Sequence, residues 1–514
     1  MTINASSLSN AVGKLTTGIP GFDLIAVGGF PIHRTTLVAG TAGSGKSVFA
    51  AQFLAEGIKQ WDHAGVFVTF EEPPEDIRRN MASLGWDIPA WEAQGKWVFV
   101  DASPHYEDDE MVITGNYDLG AFLVRLQHAI KKVQAERVAI DSLGAIFTQF
   151  QEARVIRLEL LRIATMMKQM QVTTVMTTER EQEYGNIARF GVEEFVADNV
   201  VILRNSLDEQ IRHRTIEILK FRGTYHHKGE YPFTVVPEEG LVVVPLSAIK
   251  LNQQSTDVRV SSGNSKLDAM CGGGIFRDSI ILVSGATGTG KTLMVTEFIA
   301  GGVNTGERCL LLAFEESREQ LYRNAKGWGV DYQQMEESGQ LKIISTYPEN
   351  ATLEDHLATI KTQIERFKPD RLALDSISAL ERITSAKGFR EFVIGIASFV
   401  KGHQLAALFT ATTPDLIGGK SVTDAHISTL TDSIVLLRYV EAEGQIRRAI
   451  TVLKMRGSMH EKLIREYIID GQGMHIGEPF GYHANLLTGG SVSMHHTNPG
   501  CVNWQPDCRQ ANAE

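Results

Sequence analysis

The sequence is poor in cysteine. Its four cysteines, Cys271, Cys309, Cys501 and Cys508, form no CxxC pair and no dense framework. That spacing excludes a disulfide scaffold and a structural zinc module, and it fits a reduced compartment. Long apolar runs are missing too. No stretch approaches the ~18 uninterrupted apolar residues of a membrane-spanning helix. The opening Met1–Ser7 has no basic segment leading into an apolar core, so no signal peptide is expected, and the expected location is cytoplasmic. Positive charge is in deficit: 50 Lys and Arg stand against 61 Asp and Glu, a net charge of −11. Such a chain is ill suited to bulk binding of nucleic acid or an anionic membrane.

Apolar material is in ordinary supply. Hydrophobic residues make up 43% of the 514 and charged residues 22%, as in a soluble protein with real cores. At roughly 150 residues per domain, this length predicts two to four domains. The order of motifs narrows that to two. Gly40-Thr-Ala-Gly-Ser-Gly-Lys46-Ser47 returns as Gly285-Ala-Thr-Gly-Thr-Gly-Lys291-Thr292, an offset of 245. Phe70-Glu71-Glu72 returns as Phe314-Glu315-Glu316, an offset of 244. Ile140-Asp141-Ser142 and Lys220-Phe221-Arg222-Gly223 return as Leu374-Asp375-Ser376 and Lys454-Met455-Arg456-Gly457, both at 234. Motifs repeating in one order mark a duplicated domain. The drop in offset places an insertion in the first copy, around 104–117. The expected layout is a first domain over 1–246, a polar linker over 247–262 and a second domain over 263–490. A tail over 491–514, rich in Gly, His, Asn and Pro, is expected to be disordered.

Each copy alternates short apolar strands with helical patterns: Thr35–Gly40, a glycine turn, a helix from Ser47, then strands at Gly65–Phe70, Arg137–Asp141 and Thr173–Thr178. This predicts an α/β fold, a mostly parallel sheet with helices on both faces, built twice. Late strand pairs are expected at Asn199–Leu203 and Thr215–Phe221, and at Ser433–Leu437 and Ala449–Met455.

The Gly-x-x-x-x-Gly-Lys-Ser/Thr pattern between strand and helix is a P-loop. Gly40, Thr41, Ala42, Gly43, Ser44 and Gly45 would turn backbone N–H groups onto phosphates, as would Gly285, Thr287, Gly288, Thr289 and Gly290. Lys46 and Lys291 would neutralise phosphate charge, and Ser47 and Thr292 would hold Mg²⁺. One such turn could carry a chance lysine; two in matched contexts leave that explanation little room. Asp141 and Asp375 end apolar strands, where an acid binds Mg²⁺ or its water; a helix cap is the plainer alternative. Glu71 and Glu315 are the candidate bases, able to take a proton from water or a hydroxyl, with Glu72 and Glu316 left undecided. Lys220 with Arg222, and Lys454 with Arg456, lie two residues apart on late strands and share a face. Such cations can stabilise a transferring phosphoryl group from a neighbouring subunit; a solvated basic edge strand is the alternative. Finally, the 234 offset sets Glu194-Phe195 opposite Ser428-Thr429, so the second copy alone has adjacent hydroxyls there.

The doubled P-loop, Phe-Glu-Glu, Ile/Leu-Asp-Ser, Lys-x-Arg-Gly and Asp424-Ala-His-Ile-Ser-Thr429 closely resemble the KaiC family of circadian-clock ATPases and autokinases, from about Lys14 to Phe480. The resemblance implies a RecA-like fold in each domain and a double-ring homohexamer with ATP between subunits. It implies that Glu71 activates water in a slow ATPase. It implies that Glu315, also a metal ligand, is the base of an autokinase acting on Ser428 and Thr429 of the adjacent subunit, a transfer that can run backwards. It adds nucleotide contacts from Ser83, Thr224 and His226 in the first site, and from Trp328, Arg448, Met455 and His460 in the second. A carboxylate at Glu194 would then mimic part of a phosphoserine's charge. The sequence departs from the family where Val236-Pro237 replace a Thr-Asp pair and in its tail. A KaiB-type partner is therefore expected, while KaiA-type recognition is not carried over. The rival classes are a RecA- or DnaB-like nucleic-acid motor, against which the acidic charge counts, and a non-rhythmic signalling scaffold.

Overall fold

The computed structural model describes residues 12–102, 119–144, 152–188, 191, 193–208, 211–245, 255–413, 430–442 and 445–480. They form two nine-stranded sheets, each built from one repeat. The first runs β11 (Gly240–Val243), β10 (Glu230–Val236), β9 (Ile211–Phe221), β8 (Asn199–Asp208), β3 (Thr35–Gly40), β7 (Thr173–Glu179), β6 (Arg137–Asp141), β4 (Gly65–Thr69), β5 (Trp97–Asp101). The second runs β16 (Leu341–Thr346), β15 (Cys309–Phe314), β17 (Arg371–Asp375), β18 (Ala406–Thr412), β14 (Ile280–Gly285), β19 (Ser433–Ala442), β20 (Gln445–Met455), β21 (Arg465–Asp470), β22 (Gly473–Pro479). In both, the six strands from β3 to β8, and from β14 to β19, pair in parallel. The remaining pairings are antiparallel.

Central strands covered on both faces are buried along their whole length and read as near-continuous apolar runs. Accordingly, all six residues of β3 and all six of β14 are buried. Alternate side chains feed separate cores. Val38 joins Phe49 and Phe53 of the P-loop helix Lys46–Trp61, whereas Leu37 joins Leu126 and Ile163 of helices Leu119–Val133 and Ala153–Gln169. Fully buried side chains such as Phe49 and Phe53 each contribute about 2 kcal/mol. The second domain repeats the layers. Helix Lys291–Asn304 covers one face, and Leu353–Phe367 with Ala386–Gly402 cover the other.

Three features depart from the sequence reading. The late strands are longer than their apolar cores, because pairing continues through polar partners such as Asn205 with Arg214 and Tyr439 with Arg448. The outer strands β10, β11, β21 and β22 lie outside the sequence reading; Pro or Gly occurs in β10, β11 and β22, and β21 is half polar. A small ribbon opens each domain. β1 (Lys14–Leu15) pairs with β2 (Phe30–Pro31), and β12 (Arg259–Val260) with β13 (Ile275–Phe276). The second ribbon starts inside the stretch read as linker. The two domains touch where the β10–β11 hairpin meets helix Leu353–Phe367. Thr362 Oγ1 donates to Glu239 at 3.0 Å, Arg366 pairs with Glu238 at 3.1 Å, and Thr234 donates to Asp355.

Candidate nucleotide sites

Each P-loop connects a central strand to a helix, and backbone geometry dictates its glycines. Gly43, Gly45, Gly288 and Gly290 have φ of +72°, +89°, +81° and +93°, the left-handed region that favours glycine. A Cβ on Gly40 would lie 2.3 Å from Ser44 Oγ, and one on Gly285 would lie 2.6 Å from Leu437 O. Ser44 Oγ donates to Thr41 O, and Thr289 Oγ1 to Ala286 O, each at 2.8 Å, which closes the turn. Both lysines fold back onto it. Lys46 Nζ donates to Thr41 O at 2.9 Å, and Lys291 Nζ to Gly285 O and Ala286 O at 2.9 and 3.0 Å. Burial lowers the pKa of both, against the opposing pull of Asp141 on Lys46 and Asp375 on Lys291.

The strand-end aspartates accept side-chain hydrogen bonds in both copies. Thr292 Oγ1 donates to Asp375 Oδ2 at 2.7 Å, and Thr410 donates to the other oxygen. In the first copy Thr177 donates to Asp141. Glu71 accepts from Ser142 Oγ at 2.9 Å, whereas Glu315 pairs with Arg382. The undecided second glutamates face the strand-end aspartates. Burial first, then the charge of Asp141 or Asp375, raises the pKa of Glu72 and Glu316. In the second domain these groups line a cavity of about 590 Å³, large enough for a nucleotide-sized ligand. Its walls include Thr287, Gly288, Lys291, Glu315, Asp375, Trp328 and Arg448.

Trp328 caps helix Arg318–Gly327, and Ser83 caps the matching helix Pro74–Ala82, so the two stand at equivalent positions, 245 apart. One partner escaped the sequence reading: Arg214, which lies opposite Asn205 as Arg448 lies opposite Tyr439. Arg448 sits over the Tyr439 ring at 5.8 Å. The Nε atoms of both arginines are buried without a hydrogen-bond partner among the described residues. The offset of 234 from Arg448 was the available signal.

The late basic residues do not join their own P-loop. In the first sheet Gly40 stands opposite Leu203, Thr36 opposite Asn199, and Asn199 opposite Phe221. Lys220 and Arg222 therefore flank the end of the sheet where β3 begins, not the end where the P-loop sits. Four residues at ~3.3 Å each put about 13 Å between the two levels. Lys454 and Arg456 repeat this, since Gly285 pairs with Leu437, Ile281 with Ser433, and Ser433 with Met455. Lys220 Nζ is anchored on Glu194 O and Ala197 O at 2.9 and 2.7 Å, and Lys454 Nζ on Thr431 O at 2.7 Å. Burial, and then the adjacent Arg222 or Arg456, lowers both lysine pKa values. Thr224 and His226 follow β9 at this same end, with Thr224 Oγ1 and His226 Nδ1 buried and without a partner among the described residues. Met455 is buried in the core beneath that end, and His460 follows it. Ser428 and Thr429 lie outside the described residues. Glu194 is described: its Oε2 is buried without a partner among the described residues.

Comparison with known proteins decides the family. A family model described as "ATPase: KaiC" matches residues 15–248 and 260–480, one match per sheet. The chain belongs to the KaiC family. A protein named circadian clock protein KaiC3 from Synechocystis sp. is 60% identical over 481 residues, covering 94% of this chain and 95% of that one. Circadian clock oscillator proteins KaiC from Parathermosynechococcus lividus and Synechococcus elongatus are 54% and 52% identical, over 93% and 95% of this chain and 88% and 93% of theirs. KaiC membership supports nucleotide binding and ATPase activity on tandem RecA-like domains. No helix among the described residues is long and apolar enough to cross a membrane.

Proposed function

We propose that this chain is an ATP-driven autokinase acting as a timing switch, assembled as a homohexamer with nucleotide between subunits. The observation that carries the reading is the register of the late strands. Each domain has a P-loop and acids at one end of its sheet and a Lys-x-Arg pair at the other. A ring in which each subunit presents that pair to its neighbour's nucleotide would bring the two halves together, the neighbour's cations stabilising the transferring phosphoryl group.

In this reading Glu71 activates water in the first site. In the second, Glu315 takes the proton from the hydroxyl of Ser428 or Thr429 on the adjacent subunit as the γ-phosphoryl group moves to that oxygen and ADP leaves. A hydroxyl and a carboxylate oxygen already in contact, Thr292 and Asp375, are the hard donor set that Mg²⁺ takes, and Ser47 and Asp141 are the residues at the corresponding positions of the first copy. Mg²⁺ bound there would neutralise phosphate charge. Trp328 and Arg448 line the cavity that would receive the rest of the nucleotide. The names of the relatives support a clock or timing role, and the reading adds a cytoplasmic location and a KaiB-type partner.

The test is phosphosite mapping by mass spectrometry after incubation with Mg-ATP. Phosphate is expected at Ser428 and Thr429, and Glu315→Gln should abolish it while first-site hydrolysis persists. Hydrolysis with no phosphate in either variant would leave a plain ATPase. Assembly is tested separately. Lys454→Ala/Arg456→Ala subunits mixed with Glu315→Gln subunits should regain phosphorylation, since each supplies what the other lacks. No recovery would count against supply in trans.

A further inference from the structure

The first P-loop is braced by a carboxylate that has no counterpart at the matching position of the second copy. Thr41 Oγ1 donates to Glu183 Oε1 at 2.5 Å, and the backbone N–H of Asn205 donates to Glu183 Oε2 at 2.9 Å. Thr41 is the second residue of the P-loop, and its carbonyl holds Lys46 and Ser44. Asn205, on β8, borders the same turn: a Cβ on Gly43 would stand 3.3 Å from Asn205 Nδ2. One carboxylate thus ties the P-loop to the neighbouring strand. Its charge also reaches Lys46, alongside those of Asp141, Glu179 and Glu71.

Both members of this contact change in the second copy. Thr41 corresponds to Ala286, which has no hydroxyl. Glu183 corresponds to Ile417, which lies outside the described residues. Glu179 corresponds to Thr413. Among the described residues, Asp375 is the carboxylate that acts on Lys291.

A P-loop lysine meets the β- and γ-phosphates of a nucleotide. A carboxylate fixed beside it repels a triphosphate more than a diphosphate, because the triphosphate carries one more phosphoryl charge. We propose that Glu183 is a positioning and specificity-determining residue of the first site: held by Thr41, it lowers that site's preference for triphosphate over diphosphate. The inference rests on the first P-loop being an ATP site.

The test is equilibrium binding to the full chain carrying Lys291→Ala, which leaves the first site open. The probes are β,γ-imido-ATP and ADP, so no turnover is required. Glu183→Gln keeps the size of the side chain and an acceptor for Thr41 but removes the charge. It should tighten β,γ-imido-ATP binding about threefold or more and ADP binding by less, so that the preference ratio rises. With Thr41→Ala added, the carboxylate loses its tie to the P-loop and keeps only the Asn205 N–H, and the Glu183→Gln shift should shrink to less than about half. Equal shifts for the two nucleotides, weaker β,γ-imido-ATP binding, or an undiminished shift beside Thr41→Ala would overturn the proposal. Binding of neither nucleotide to the chain bearing Lys291→Ala alone would instead sink the ATP-site reading and this inference with it.

Discussion

The two nucleotide sites share a backbone and differ in what surrounds it. The charges of four carboxylates, Asp141, Glu179, Glu71 and Glu183, act on Lys46, whereas among the described residues Asp375 is the one that acts on Lys291. Glu71 accepts a hydrogen bond from Ser142, but Glu315 is ion-paired with Arg382. Serine stands at 83 where tryptophan stands at 328. Duplication preserved the parts that hold phosphate: the glycines, the lysine, the strand-end aspartate. It released position 83/328, the carboxylates around the P-loop lysine and the partner of the first glutamate, Glu71 or Glu315. Divergence of that kind fits two sites with one ligand and different reactions.

The largest expected effect breaks each site alone. Lys46→Ala should weaken nucleotide binding at the first site about a hundredfold or more, and Lys291→Ala likewise at the second. Nucleotide retained per chain after desalting should fall by half in either variant. Loss of both nucleotides from one substitution would mean that the sites are not independent.

The next effect concerns stability, and it also separates the copies. Arg137 and Arg371 are buried at equivalent places under the sheets. Arg137 donates to the carbonyls of Thr16, Thr17 and Phe53, and burial lowers its pKa to about 10. Arg371 adds a carboxylate, Glu307, at 2.5 Å, where the first copy has His63 Nδ1 at 3.4 Å from Arg137. Glu307→Gln should destabilise the second domain by about 3 kcal/mol, because it leaves a buried cation without its counter-charge. His63→Gln should cost the first domain less than about 1 kcal/mol. Denaturant unfolding followed on each variant checks the contrast.

Much of this was legible in the sequence, for physical reasons. β3 and β14 read clearly because a strand buried on both faces is a near-continuous apolar run, with only the small hydroxyls of Thr35, Thr36 and Ser284 admitted. P-loops read clearly because phosphate binding fixes glycine, lysine and hydroxyl at set spacings. Signals failed where pairing, not burial, builds the strand. The outer halves of β8 and β9 hold Asn205, Ser206, His213 and Arg214, and no apolar period marks them. Arg214 was hidden in that stretch. The distance of Lys220 and Lys454 from their own P-loops was equally invisible, since it follows from strand register and not from residue type.

A smaller effect sharpens the comparison at the base end of the sites. Trp328 offers the second cavity an aromatic face, and stacking of a nucleobase on such a face is worth ~1–3 kcal/mol. Trp328→Ser should therefore loosen binding of a non-hydrolysable ATP analogue at the second site about fivefold or more. Ser83→Trp should tighten the first. If neither affinity moves, position 328 does not meet the base.

The smallest expected effect lies at the proposed general bases, Glu71 and Glu315. Arg382 and Glu315 are both substantially exposed, at 59% and 45% of their side-chain area, and exposed ion pairs are worth up to about 1 kcal/mol. The pair is nonetheless placed to matter, because a carboxylate held by a guanidinium is a poorer proton acceptor than a free one. Arg382→Met should release Glu315 and raise the initial rate of phosphate transfer by about fivefold at most, with nucleotide affinity unchanged. Ser142→Ala removes the corresponding hydrogen bond to Glu71, a neutral donor, and should alter first-site hydrolysis by less. A fall in transfer rate in Arg382→Met would reverse the assignment: the guanidinium would then be aiming Glu315 at its acceptor, not restraining it. Time courses at saturating ATP, read for both phosphate incorporation and free phosphate, separate the two.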